Sequence, residues 1–301
     1  MMRLLEKGQV LLGNGINGNS RVYRGIMELL GRFGYLSLEE VIFGYDFGFR
    51  EVYDRLNYLE KAGLIQKFPS LTLPRQFYCL TVLGTQVVRA HNISDEIHSF
   101  GPSQYNPITQ NHSRTLIRIF LAFRKIFGAD FLGWRSERAL LADQSLMKNR
   151  NPLRGPRVFD GMFLIRIHKT KHSPHLQEAP VPLGGTTENW WCGLELELTV
   201  KSTQRYRKQF KDLSDSVYNS LQENQTIPMM LYLSGSPAIQ KKLMEIREEQ
   251  QGSFGRCLFV FGQVDSFLRD LGKTPMTRCV GSDRREIIGT ELNHVRVRVA
   301  S

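Results

Sequence analysis

Two glutamates and a lysine stand on one side of the stretch Cys192-Gly-Leu-Glu-Leu-Glu-Leu-Thr-Val-Lys201. Apolar and polar residues alternate through it with the period of a half-buried strand. Glu195, Glu197 and Lys201 therefore share a face with Gly193 and Thr199, while Cys192, Leu194, Leu196, Leu198 and Val200 are expected on the buried face. Neighbouring carboxylates on one strand face repel unless something positive sits between them. A divalent cation is the usual answer. Lys201 adds a second positive charge, about 13 Å beyond Glu197 if the strand stays extended at roughly 3.3 Å per residue. Asp160, near the start of a strand-like run over 158–167, supplies a third carboxylate.

The elements that must position these groups follow from periodicity. Ser20 is the expected N-cap of a helix whose apolar stripe is Val22, Ile26, Leu29, Leu30 and Phe33. Ser37-Leu-Glu-Glu40 reads as a capping box opening a second helix, and a third runs from Phe49 to Ala62 before Gly63. Runs 65–68 and 76–80 follow as a two-stranded hairpin. After a stretch with Gly101-Pro and Pro107, Asn111-His112-Ser113 is expected to cap an apolar helix containing Leu116, Ile119, Phe120 and Phe123. A short strand at 131–134 and a helix over 135–147 carrying Glu137 come next. Beyond the Asp160 run, a polar loop spans about 168–189. After the Glu195 strand, helical period returns over 201–221 with Tyr206, Phe210, Leu213, Val217 and Leu221 inward. Lys201, Arg205, Lys208 and Lys211 make its basic flank. Short strands at 229–233 and 256–261 alternate with helices at 237–249 and 264–271. The last thirty residues carry little pattern beyond an edge strand expected at 294–299.

At 301 residues the chain is long enough for two domains, and 41% hydrophobic residues suit packed cores. No apolar run approaches the roughly 20 residues that span a bilayer, so no membrane insertion is expected. Four scattered cysteines without a CxxC pair fit a reduced, cytoplasmic setting. The net charge of +11 favours a polyanionic partner. The expected division is an arm at 1–19, a first domain at 20–91, a linker at 92–111, a second domain at 112–272 and an extension at 273–301.

Two resemblances emerge from these stretches. Three helices, an Ala62-Gly-Leu-Ile65 junction and a hairpin resemble a winged helix-turn-helix domain. This implies that Arg50, Tyr53 and Asn57 on the third helix face double-stranded DNA, and that Lys67 and Arg75 in the wing meet phosphates. Winged helices also serve as protein-contact modules. The Asp160-Gly start, the Glu195-Leu-Glu197 strand, the nearby Lys201 and the order α-β-β-β-α-β resemble the PD-(D/E)xK nuclease core. Phe159 stands where that motif has proline, and Glu197 where it usually has lysine.

The pairing of the two is similar to the MobC-type relaxases and the replication-relaxation family of mobilisable plasmids. Asn111-His112, Trp134-Arg-Ser-Glu137, Val158-Phe-Asp160-Gly161, Glu195-Leu-Glu197 and Lys201-Ser with Arg205-Tyr206 carry that resemblance. It implies a metal-dependent endonuclease that nicks a plasmid origin of transfer, working with relaxosome proteins and a coupling protein. Asp160, Glu195 and Glu197 would hold Mg²⁺ or Mn²⁺. Glu197 serves alternatively as general base, and Lys201 or Arg205 would offset the charge of the phosphoryl transition state.

Other polar groups divide between roles. Glu137 is either an auxiliary ligand or a surface acid. His112 either caps the first core helix or approaches the site. Tyr206 heads a buried stripe, which argues for packing, although relaxases also use a tyrosine nucleophile. His168, His172 and His175 lack a fourth ligand, so no zinc site is assigned there. Trp190 and Trp191 belong to the core or a strand edge. Two other classes remain open: a DNA-binding accessory or regulatory protein with an inactive core, and a restriction- or transposition-type endonuclease.

Overall fold

The computed structural model of the protein describes residues 18–45, 47–69, 76–94, 96–97, 101–102, 106–142, 159–168, 187–222, 229–250, 258–271, 273, 275–280 and 283–288. The protein is mixed α/β and divides into two units, Met1–Leu121 and Ala122–Ser301. The division falls inside a helix, where the sequence reading set it within 92–111. Part of that stretch is packed in the first unit: Ile93, Ser94 and Glu96 are buried, and Ser94 Oγ donates to the Glu96 carbonyl at 2.6 Å.

The first unit contains α1 (Gly18–Phe33), β1 (Leu36–Ser37), α2 (Leu38–Tyr45), α3 (Phe49–Lys61), β2 (Ile65–Pro69), β3 (Gln76–Leu80) and α4 (Val82–Ala90). Strand β3 pairs antiparallel with both β2 and the short β1. Val22, Ile26, Leu29 and Leu30 of α1 are buried as their spacing requires. The helix starts at Gly18, so Ser20 lies within its first turn, two residues past the observed start. Helix α3 ends on Gly63 at φ +73, a left-handed position that favours glycine. There Leu64 N–H donates to the Leu59 carbonyl at 3.0 Å and Gly63 N–H to Glu60 at 2.8 Å. Thr81 then binds the Gly63 carbonyl at 2.6 Å and accepts from Gly84 N–H at 3.0 Å, which caps α4. That helix escapes periodicity analysis because Gly84 and the β-branched Val82, Thr85, Val87 and Val88 depress helix propensity.

The helix expected to begin at Asn111 begins at Pro107 (α5, Pro107–Phe127). Proline suits a first helical position because its missing N–H has no partner there anyway. Asn111 and His112 thus lie inside α5 and do not cap it. Arg114 on α5 reaches the fully buried Glu40 of α2, with Nε donating to Oε1 at 2.8 Å, and reaches Glu39 at 2.7 Å. Glu40 Oε2 meanwhile accepts from Ser37 N–H at 2.8 Å, the reach-back half of a capping box.

The second unit is built on a seven-stranded sheet. Its strands are β4 (Phe131–Ser136), β5 (Gly161–His168), β6 (Thr187–Glu197), β7 (Met229–Ser234), β8 (Leu258–Gln263), β9 (Pro275–Val280) and β10 (Asp283–Ile288), in sheet order β10-β9-β8-β7-β6-β5-β4. β4, β5 and β6 form an antiparallel meander, and β6, β7 and β8 run parallel. Helices α7 (Thr203–Gln222) and α8 (Pro237–Glu249) make the two parallel crossovers. Tyr206 and Phe210 from α7, and Ile239, Leu243 and Ile246 from α8, bury one face against Met230, Tyr232, Phe259 and Phe261. On the other face Phe123, from the last turns of α5, meets Trp134, Phe163 and Phe267. Phe267 belongs to the short α9 (Val264–Arg269). Covered on both faces, β7 is buried at every residue, which is why Met229-Met-Leu-Tyr-Leu233 reads as a continuous apolar run.

Other boundaries shift from expectation. The helix carrying Glu137 is α6 (Glu137–Ala142), and residues 143–147 lie outside the described ones. The hairpin of β9 and β10 occupies a region where no pattern was read, while 294–299 lies outside the described residues. Among the described residues no helix is long and apolar enough to cross a membrane.

Candidate functional site

Strand β6 stops at Glu197, four residues short of Lys201. The expected strand through Lys201 is therefore corrected. Val200, assigned to the buried face, is 66% exposed. The other half of that reading changes too. With helices on both sheet faces, Glu195 and Glu197 are 3% and 2% exposed, so the acidic side of the strand is as buried as the leucine side. By register Glu195 lies beside Tyr232 and Glu197 beside Ser234, on the side covered by α7 and α8.

Sheet register also aligns the other acids. Ser136 pairs with Gly161, and Gly161 with Leu194. Glu137 directly follows β4 and Asp160 directly precedes β5, at the strand ends next to this register, while Glu195 follows Leu194 within β6. Asp160 Oδ2 accepts the Leu196 N–H at 2.7 Å, which ties this carboxylate to the backbone between the two glutamates. Glu137 is exposed at the start of α6.

Beyond Glu197 the chain bends and α7 begins, and the bend returns Lys201 toward the strand end. Lys201 Nζ lies 2.5 Å from Glu197 Oε1, in place of the 13 Å expected for an extended strand. Gln209 Nε2 of α7 donates to the same oxygen at 3.1 Å. The bend itself is bonded throughout. The Tyr206 hydroxyl donates to the Thr199 carbonyl at 3.3 Å and accepts from Lys201 N–H at 3.2 Å, and Lys242 Nζ of α8 donates to the Lys201 carbonyl at 3.2 Å. Lys242 also lies 5.7 Å from the Tyr206 ring centroid. Gly235 N–H donates to the Glu197 carbonyl at 2.8 Å, and a Cβ at Gly235 would stand 2.9 Å from the Leu198 carbonyl oxygen. Only glycine admits that approach.

Burial raises the Tyr206 pKa above its ordinary value; the Lys201 N–H opposes the shift and the Glu197 carboxylate adds to it. A phenol so held stays protonated near neutrality. Its ring is fully buried, and both of its hydrogen bonds serve the bend. Arg205 is exposed on the first turn of α7, and His112 is half-buried in the second turn of α5 within the first unit.

Gln209 and Lys242 escaped the sequence reading. Gln209 stands three residues after Tyr206, next to the buried stripe, which is a weak signal. Lys242 comes from a helix some forty residues downstream, and no local pattern connects it to Lys201. Among the described residues no group of three or more His, Cys, Asp or Glu side chains is gathered for a metal ion, so Asp160, Glu195 and Glu197 do not form a three-carboxylate cage. His172 and His175 lie outside the described residues. Trp190 and Trp191 are half-buried in β6, with Trp190 Nε1 donating to Glu188 at 3.1 Å.

In the first unit, Arg50 and Tyr53 are exposed on α3 and Asn57 is half-buried. Tyr53 stacks on Phe49 with ring centroids 6.2 Å apart and planes 6° from parallel; the rings are 43% and 64% exposed. Phe49 was not singled out from the sequence, although aromatic residues four apart share a helix face. Lys67 pairs with Glu60 at 3.2 Å, and Arg75 lies outside the described residues. No family model, curated protein or solved structure matches the chain.

Proposed function

We propose that this chain is a metal-dependent DNA-nicking enzyme of the relaxase type, acting at a plasmid origin of transfer during conjugative mobilisation. The observation that carries the reading is the hydrogen bond from Leu196 N–H to Asp160 Oδ2, which sets that carboxylate against the backbone between Glu195 and Glu197, while Lys201 folds back onto Glu197. Supporting it, the order α5-β4-α6-β5-β6-α7-β7, with α6 counted as an insertion, follows the α-β-β-β-α-β order of a PD-(D/E)xK core, with an antiparallel meander and a parallel crossover. The first unit, with order α1-β1-α2-α3-β2-β3, is in keeping with a winged helix-turn-helix domain whose α3 presents Arg50, Tyr53 and Asn57 to duplex DNA.

The donor set suits a hard cation, because Mg²⁺ and Mn²⁺ take one or two carboxylates and keep several waters. Asp160 and Glu195 would hold it. When bound, it supplies polarisation of a phosphoryl oxygen and acidification of a water. Glu197 is engaged by Lys201 and Gln209, so its part is to anchor the ammonium. Lys201, fixed through its backbone by Tyr206 and Lys242, offers that ammonium to the charge developing on phosphate. The Asp160–Leu196 hydrogen bond holds the first carboxylate against the second strand.

A second reading, a DNA-binding regulator with an inactive core, draws on the missing three-carboxylate cage. Incubation of the chain with supercoiled plasmid carrying the origin, with and without Mn²⁺, decides between them. Metal-dependent open circles that disappear in Asp160→Asn support the nickase. Linear product points to a double-strand endonuclease, and duplex binding without cleavage points to the regulator. Arg50→Ala together with Asn57→Ala should weaken specific binding by roughly 1–3 kcal/mol per lost base contact.

A further inference from the structure

We infer that Arg205, Lys208 and Lys211 on α7 form a phosphate-binding track for the backbone of the DNA strand being cut, leading away from Lys201. The inference rests on the nuclease reading above and extends it to three residues outside the acidic site. All three side chains are exposed, and their i, i+3, i+6 spacing makes one stripe about 9 Å long at 1.5 Å per residue. Helix α7 opens at Thr203, directly after the bend that carries Lys201, so the stripe continues from the candidate site.

A solvated helix face would explain exposed cations, but not this arrangement of them. Among the described residues none of the three takes part in an ion pair, whereas Arg207 on the same turns is held by Glu249 at 2.8 and 3.1 Å. Of the two acids in α7, Asp212 and Asp215, the first is half-buried. Like charges three residues apart destabilise a helix, and cations near its N-terminus oppose the macrodipole, which no acid in the first turn of α7 offsets. The stripe therefore costs stability, which fits a surface kept for a polyanion. One strand of nucleic acid presents a negative charge roughly every 3.4 Å of duplex axis, so such a stripe spans two or three successive phosphates.

The test uses the full chain and a labelled single-stranded oligothymidylate, which offers phosphates without an origin sequence. Affinity is read by anisotropy across a range of KCl concentrations. Each phosphate neutralised by the protein contributes about 0.7 to the slope of log K against log salt on single strands. Arg205→Gln, Lys208→Gln and Lys211→Gln together should lower that slope by about 2, and the Lys208/Lys211 pair alone by about 1.4. Arg207→Gln, which removes a cation already neutralised by Glu249, should leave the slope unchanged. An unchanged slope in the triple variant, or an equal loss in Arg207→Gln, overturns the track. Thermal melting checks that the variants fold; should the triple variant unfold, the Lys208/Lys211 pair decides by the same criterion. A parent chain that nicks plasmid while the triple variant keeps its slope loses the track alone. A parent that never nicks, with the slope change present, loses the nuclease reading while the phosphate track stands.

Discussion

Lys201 Nζ and Glu197 Oε1 lie 2.5 Å apart, across a bend that no alternation pattern announces. Glu197 is almost fully buried and Lys201 about one-fifth exposed, so the pair is only partly open to solvent. A charge left alone in such a place costs more than the pair itself contributes. Lys201→Met should therefore destabilise the second unit by about 1–3 kcal/mol in urea denaturation. Adding Glu197→Gln to it should recover part of the loss. Equal stability of the single variant and the parent would show that the pair is not formed in solution.

Asp160 has two separable jobs, accepting the Leu196 N–H and supplying a carboxylate. Asp160→Asn keeps an acceptor oxygen and should fold with near-parental stability while losing metal-dependent nicking. Asp160→Ala strands the N–H and should cost about 1–2 kcal/mol besides. Calorimetric melting of the two variants side by side separates the roles. Nicking by Asp160→Asn at the parental rate sinks the metal assignment.

Tyr206 distinguishes hydrolysis by water from tyrosine chemistry. Its raised pKa means that the native state holds the phenolic proton more tightly than the unfolded chain does. Stability from this group is fully present below the unfolded value of about 10 and falls as pH rises through the higher native one. Tyr206→Phe should cost about 1 kcal/mol through its two lost hydrogen bonds to the bend, retain most nicking and leave no protein–DNA adduct. Its alkaline loss of stability should also be shallower than the parent's. An adduct mapped to Tyr206 in the parent reverses this assignment.

In the first unit, Arg114 is the direct partner of a glutamate with no solvent exposure. Arg114→Met should destabilise that unit by about 1–3 kcal/mol, since Glu40 Oε1 keeps only the more distant Arg118 guanidinium, at 3.6 Å. Arg114→Lys should rescue only part of this, because one ammonium cannot address Glu39 and Glu40 as the guanidinium does. Proteolysis that reads opening of the first unit measures the difference. Parental resistance in Arg114→Met contradicts the expectation.

Local signals by themselves determined most element types. The stripe Val22–Leu30, the Gly63 stop, the run Met229–Leu233 and helix Pro237–Glu249 are legible because period and punctuation act over a few residues. The order of elements around Asp160 and Glu195 followed from them. Tertiary structure decided what those residues face. Alternation in 192–201 cannot tell a solvated polar side from one buried under α7 and α8, because both give the same pattern, and only the crossovers cover that side. Nor does alternation mark where a strand ends. Tyr206, Lys242 and Gly235 bond to the bend and the strand end beside it, from five to some forty residues beyond them in the chain. The position of Lys201 against Glu197 is a product of those distant bonds, which is why it had to be seen in three dimensions.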